Sequence, residues 1–229
     1  MLLSWVGYQW LTWPDVEALI DRNPPTTAFI EDFRRSGREQ VPEQQWVAYD
    51  RISDNLKHAV LVSEDIDFHG HHGFAVGEIR IALVEAVKEG RSLRGASTIS
   101  QQLAKNLWLS PSRNPWRKVK EALLTHQLER ALTKRRILEI YLNVAQFGPH
   151  VFGAEAASMH FFSAPSARLT RRQAALLATS LPQPDNWYPG CASERYERRA
   201  ELVLARMGKS QWLRDQLSPP NKPLTGARD

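Results

Sequence analysis

Glu64 and Asp65 stand side by side in SEDIDFHGHHG, with His58, His69, His71 and His72 close by in sequence. A carboxylate held in a cleft can take a proton from an attacking hydroxyl, because partial desolvation lifts its pKa toward the range a general base needs. Imidazole and carboxylate are also donors for Zn or Fe. No HExxH or comparable helical spacing is present, however, and histidines clustered in a loop are more often hydrogen-bonding residues. Taken alone, such an acidic pair reads as solvated surface. A second constellation lies in GASTISQQLAKN, residues 95–106. At 100° per residue, Thr98, Gln101, Gln102 and Lys105 share one helix face and Ile99, Leu103 and Leu107 the other. A polar face with two amides and a lysine but no acid suits hydrogen bonding to a sugar and pairing with phosphate. A third is Arg117 with Glu121, at i and i+4, ordinarily a surface ion pair. Their stripe continues as the apolar Leu124, Leu128 and Ala131, so the pair heads a core-facing side. It is either a partly buried bridge or the wall of a cleft. Arg113, Lys118 and Lys120 favour the cleft, since cations beyond the single acid need an anion from elsewhere.

These residues need helices to hold them, and the periodicity predicts helices almost throughout. Asn23 to Phe29 (NPPTTAF) reads as an extended linker, and Pro42 marks another irregular stretch. Leu56, Ala59, Val60 and Ser63 share a face ahead of Glu64 and Asp65, which fall just past a helix end. Ile79, Ala82, Leu83, Ala86 and Val87 predict a helix stopped by Gly90. Thr98 with Gln101 makes a capping box opening a helix to Asn106. Asn114 as N-cap and Pro115 at N1 start a long helix to about Leu132. Further helices are expected at Lys134 to Ala145, Gly153 to Phe162, Thr170 to Ser180 (capped by Thr170 and Gln173) and Ser193 to Met207, ending at Gly208. No period-two strand of useful length and no internal repeat is evident, so the fold class is mainly α.

Composition agrees with a folded chain. The 229 residues are 42% hydrophobic and 24% charged, with 14 Pro, 12 Gly and one Cys, which excludes collagen, a disulfide scaffold and disorder. Cys191 alone leaves the redox compartment open. The net charge of +5 is unevenly spread: residues 91–136 carry eleven Lys and Arg against Glu121 and Glu129, a window of +9, and the remainder is −4. A localised basic face implies an anionic partner, whether nucleic acid, acidic lipid headgroups or a phosphorylated substrate, or else a solvated face.

Met1 to Trp13 is apolar and holds three of the eight Trp. It falls short of the roughly 20 residues that span a bilayer, and it lacks the basic start and small-residue cleavage pattern of a signal peptide. It is either a core-packing start or the outer end of a membrane anchor whose first part is missing from this chain. Trp and Tyr at this density suit the headgroup belt and favour the anchor.

SEDIDFHGHHG resembles the E-D-x-x-F-x-x-H-x-G motif of family 51 glycosyltransferases, the peptidoglycan glycosyltransferases, through Glu64, Asp65, Phe68, His71 and Gly73. Residues 95–106 resemble their second motif, RKVKE (117–121) the third and KRRILEIYLN (134–143) the fourth. Phe147, Gly148, Gly153, Ala156 and Ala157 are similar to the segment that follows, and Leu176 to Pro189 to the last block. Four motifs in order are far more specific than one short match. Ala96 stands where Gly is common. With no penicillin-binding transpeptidase region, the likeness is to the monofunctional members.

The resemblance implies a lysozyme-like helical head lobe with a smaller, membrane-proximal jaw lobe. It implies polymerisation of lipid II into β-1,4 glycan strands, with inversion and release of undecaprenyl pyrophosphate. By it, Glu64 is the general base and Glu121 the second catalytic carboxylate. Lys105, Arg113, Arg117 and Lys118 meet the pyrophosphate, while Asp65, His71, Ser97, Thr98, Gln101, Gln102 and Asn106 bind substrate. No cofactor is required, and a divalent cation, Mg or Mn, is compatible at the pyrophosphate. The implied partners are lipid II, the growing glycan chain, the membrane and cell-wall synthesis proteins, with no nucleic acid. The implied location is the bacterial inner membrane, with a single-pass anchor and a periplasmic catalytic domain. The expected division is an anchor end at 1–22, a linker at 23–45, the catalytic domain at 46–215 and a tail at 216–229. Two alternatives compete. A lysozyme-like glycan-cleaving enzyme would have no use for so many cations. A basic nucleic-acid-binding module lacks an evident recognition helix, and Trp108 and Trp116 fit packing as well as base stacking.

Overall fold

The structure, a computed structural model, describes residues 13–74, 97–109 and 115–217. Arg113, Asn114, the helix expected around Ile79 to Val87 and most of the Met1 to Trp13 segment lie outside these residues. Among the described residues are nine α-helices and two strands of two residues each, a mainly helical fold as expected. The helices are α1 (Ala28–Arg35), α2 (Asp54–Glu64), α3 (Ile99–Trp108), α4 (Pro115–Ala131), α5 (Lys134–Val144), α6 (Ala154–Phe162), α7 (Arg171–Ser180), α8 (Glu194–Lys209) and α9 (Gln211–Leu217). Strands β1 (Glu43–Gln44) and β2 (Val151–Phe152) pair in parallel.

Helix α2 is buried along most of its length, from Leu56 to Val62. An apolar helix of this kind needs neighbours on several sides, and α7, α8 and α9 supply them. Its two buried polar groups are satisfied: Lys57 pairs with Asp54 at 2.9 Å, and His58 Nε2 meets the Ser210 carbonyl at 3.0 Å. Helix α3 forms the second packing centre, against α1, α4 and α5. The expected capping boxes at Thr98/Gln101 and Thr170/Gln173 are both present. The carboxyl end of α2 thus faces the amino end of α3.

Two local expectations are corrected. The stretch read as a linker contains α1, capped by Thr27, whose side chain accepts from Ile30 N at 3.1 Å. Only Ile30 and Phe33 of this helix are buried, and Phe33 meets Phe152 edge-to-face at 5.7 Å, so tertiary contact decides the helix. Helix α8 runs past Gly208 to Lys209, because Gly208 keeps a helical backbone and Ser210 is the cap.

Asn143, at the end of α5, ties the arm before α2 to the body. Its Oδ1 accepts from Val47 N at 2.8 Å and its Nδ2 donates to Val47 O at 2.9 Å. Gly153 lies close against the backbone of the same asparagine: its φ is +85°, and a Cβ there would lie 2.6 Å from Asn143 O. Gly153→Ala is expected to combine left-handed strain with a backbone clash, costing about 3 kcal/mol. Thermal unfolding should show this as a Tm lower by about 6–12 °C, and an unchanged Tm would mean the α5–α6 junction relaxes freely.

Candidate active site

Glu64 is the last residue of α2 and is partly exposed, whereas its neighbour Asp65 is the buried cap. The two acids therefore have different surroundings. Glu64 Oε2 accepts from Gln102 Nε2 at 3.0 Å, and Glu64 Oε1 accepts from Ser63 Oγ at 3.1 Å. Gln102 is itself oriented by Tyr141, whose hydroxyl donates to Gln102 Oε1 at 2.9 Å. Burial pushes the Glu64 carboxyl above its ordinary value, partly offset by the bonds from Gln102 and Ser63 and by the charges of Arg199 and Lys105. Tyr141 is held well above its ordinary value by its own burial and by the charges of Glu64 and Asp65, so it stays a neutral donor.

Asp65 points inward. Its Oδ1 accepts from His71 Nε2 at 2.9 Å, and its Oδ2 accepts from Ile99 N at 2.9 Å, at the first turn of α3. A carboxylate there satisfies an orphan helix amide and complements the helix dipole. His71 Nδ1 accepts from Gly73 N at 3.1 Å, which leaves the proton on Nε2 and makes the ring a neutral donor to Asp65. Gly73 has φ +88°, and a Cβ there would come within 2.8 Å of Thr125 Cγ2 on α4. Thr98 closes this frame by donating to Gly73 O at 2.7 Å while capping α3. Asp65, His71, Gly73 and Thr98 thus lock the amino end of α3 against the end of α2.

The basic side lies on α3 and α4. Lys105 is half-buried, with Nζ 5.4 Å from the centre of the Phe29 ring. Burial holds its pKa below the ordinary lysine value, aided by Arg117 and Lys118 and opposed by Glu121 and Glu64. Lys105 therefore sits in the fields of both expected catalytic carboxylates. Glu121 is 4% exposed. Among the described residues its ion-pair partner is Lys118 at i−3, whose side chain is 63% exposed, and not Arg117 at i−4, the pair that helical spacing offered. Ser97 is exposed, Asn106 is buried, and Gln101 is buried with its Oε1 accepting from Thr98 N at 3.0 Å.

Three groups near Glu64 escaped the motif reading: Ser63, Tyr141 and Arg199. Tyr141 lies in KRRILEIYLN, where the residues gave no sign which of them would turn toward Glu64. Arg199 comes from α8, far along the chain, and its Nε is buried without a hydrogen-bond partner among the described residues. A groove of about 970 Å³ between residues 13–17 and α4 is lined by Trp13, Leu123 and Arg130, among others, and includes none of the expected site residues.

Lys118 being the partner of Glu121 makes a double-substitution test decisive. Lys118→Met removes the partner of a buried carboxylate and, because Lys118 itself is largely exposed, should lower stability by about 1 kcal/mol. Glu121→Gln in the same chain should restore the Tm while catalytic turnover stays more than tenfold down. Turnover recovering along with the Tm would reduce the pair to a structural bridge.

A carboxylate with a raised pKa, in the fields of Lys105 on α3 and Arg199 on α8, is arranged to deprotonate a nucleophile beside an anionic leaving group. The family model described as Transglycosylase matches residues 31–208. The biosynthetic peptidoglycan transglycosylase of Methylobacillus flagellatus is 42% identical over 206 residues, covering 88% of this chain and 90% of that protein. Its counterpart in Thiobacillus denitrificans is 45% identical over 194 residues, covering 82% of this chain and 83% of that protein. The chain belongs to the transglycosylase family. Its activity is that of a peptidoglycan glycosyltransferase, an enzyme of cell-wall synthesis.

Proposed function

We propose that this chain polymerises lipid II into β-1,4-linked glycan strands, with Glu64 taking the proton from the acceptor 4-hydroxyl as that oxygen attacks the donor anomeric carbon. The new glycosidic bond forms as the bond to pyrophosphate breaks, with inversion, and undecaprenyl pyrophosphate leaves. Pyrophosphate needs no proton to depart if its charge is met, and Lys105, Arg117, Lys118 and Arg113 are assigned that task. Glu121 orients the cations of this cluster. The observation that carries the reading is the placement of Glu64: burial makes it a stronger base, and the Tyr141–Gln102 relay keeps it oriented. Ser97, Gln102 and Asn106 contact substrate in this reading, whereas Asp65, His71, Thr98 and Gln101 position α3.

A divalent cation at the pyrophosphate would be held by the substrate's own oxygens rather than by the described residues of the basic side. Mg or Mn needs oxygen donors, and on the basic side Glu121 is already paired with Lys118. No step here passes through such an ion.

Envelope association follows from the substrate, and a single-pass anchor at the periplasmic face of the inner membrane is the finer proposal. No described helix is long and apolar enough to cross a membrane. Support comes from Trp116, Val119 and Leu123, exposed at i, i+3 and i+7 along α4, which form an apolar stripe suited to a membrane interface. The native full-length protein is expected in the membrane fraction, and its recovery wholly in the soluble fraction would overturn the anchor. Incubation with labelled lipid II should yield polymer that lysozyme digests. Cleavage of preformed glycan without polymer synthesis would favour the hydrolase alternative.

A further inference from the structure

We propose that Glu43, His150 and His160 form a site for a divalent transition metal, zinc or a close analogue, separate from the glycosyl-transfer machinery. The residues come from β1, the turn before β2, and α6. Glu43 Oε1 lies 3.3 Å from His150 Nε2, and Glu43 Oε2 lies 3.1 Å from His160 Nδ1. The two rings stand edge-to-face at 5.2 Å, and one donor atom from each residue falls within 4.8 Å of the others. Zinc bonds of about 2.0–2.1 Å in a tetrahedron put neighbouring donors about 3.3 Å apart, so the spacing needs little adjustment. Two imidazoles and one carboxylate favour zinc, nickel, copper or iron over magnesium or calcium. Glu43 and His160 are exposed, which leaves water free to complete the coordination.

Hydrogen bonds from two imidazoles to one carboxylate are the competing explanation. His150 Nδ1 is buried without a protein partner among the described residues, so no second bond fixes which ring nitrogen holds the proton. Nε2 is thereby free to act as a ligand. The missing support on Nδ1 also limits affinity, because metal-bound histidines ordinarily donate their other N–H. The metal would clamp β1 to α6, reinforcing the backbone bond from Glu43 N to His150 O at 2.9 Å. Its effect is on how firmly the arm carrying α1 is held, and none of the three residues is in the glycosyl-transfer site.

The test uses the full chain, free of any histidine tag and stripped with chelator. Titration with ZnCl2 should show one saturable metal per chain and a Tm raised by about 5–10 °C at a hundredfold excess over Kd. CoCl2 should give the strong visible absorption of four-coordinate cobalt. His160→Ala and Glu43→Gln should each weaken binding at least tenfold while the metal-free Tm and lipid II turnover stay near the parent's. A Tm shift that persists unchanged in His160→Ala would place the metal on other histidines and overturn the proposal. So would the absence of saturable binding at millimolar zinc, which would leave only the hydrogen-bonded cluster.

Discussion

Glu64→Gln is expected to lower the turnover of lipid II by about 10³-fold or more while leaving the fold intact, in line with the removal of a general base. The amide keeps an oxygen to accept from Gln102 but cannot take a proton from the acceptor hydroxyl. Two pH signatures accompany the loss. In the parent, kcat/KM climbs with pH as Glu64 ionises, with a midpoint above the ordinary 4.5 because burial raises the carboxyl. The residual activity of the variant lacks that climb. Stability runs the opposite way. A carboxyl whose pKa is raised on folding contributes stability that is fully present below 4.5 and is lost as pH rises through the folded-state value. At neutral pH the ionised Glu64 is therefore a cost that Gln removes, so the variant's Tm equals or exceeds the parent's. Near-normal turnover by a well-folded Glu64→Gln protein would remove Glu64 from the mechanism.

Lys105→Met is expected to reduce kcat by about 10²-fold, the usual cost of losing one preorganised charge at a developing anion. Lys105 is half-buried and feels both Glu121 and Glu64, so its charge couples the proposed base to the cluster assigned to the leaving group. Its positive charge also helps hold the Glu64 carboxyl down. Removing it should move the acid limb of the pH profile to higher pH, an effect that a purely structural lysine would not produce. Because burial disfavours the protonated amine, Met should leave the Tm unmoved or higher. Lys105→Arg, which keeps the charge, should leave that acid limb near the parent's. Unchanged lipid II kinetics in Lys105→Met would return the basic window to a solvated face.

Part of the site was legible as local chemistry. The capping boxes at Thr98/Gln101 and Thr170/Gln173 each close within one turn, so residues three apart determine them. The stripe from Leu124 to Leu128 is buried as its spacing implied, and Glu121 heads it. Asp65, His71 and Gly73, which the motif around Glu64 groups, are joined by hydrogen bonds. Their bonds to Ile99 and Thr98 cross more than twenty residues of chain, and no spacing rule reports those.

The amino-acid sequence by itself determined the helical class, most helix boundaries and the family motifs, because periodicity and capping depend on neighbours within about four residues. Tertiary structure decided what the side chains do. It set Asp65 inward and Glu64 toward the cations, although the two are adjacent, since the helix ends between them and only one can reach the first turn of α3. It gave Glu121 to Lys118 instead of Arg117, and it made α1 a helix by burying Ile30 and Phe33 beside Phe152. It brought Arg199 and Tyr141 to bear on Glu64, and Glu43 against His150 and His160. Each of these outcomes depends on which surfaces α2, α3 and α6 present to the rest of the chain after packing, and packing joins residues that the sequence keeps tens of positions apart.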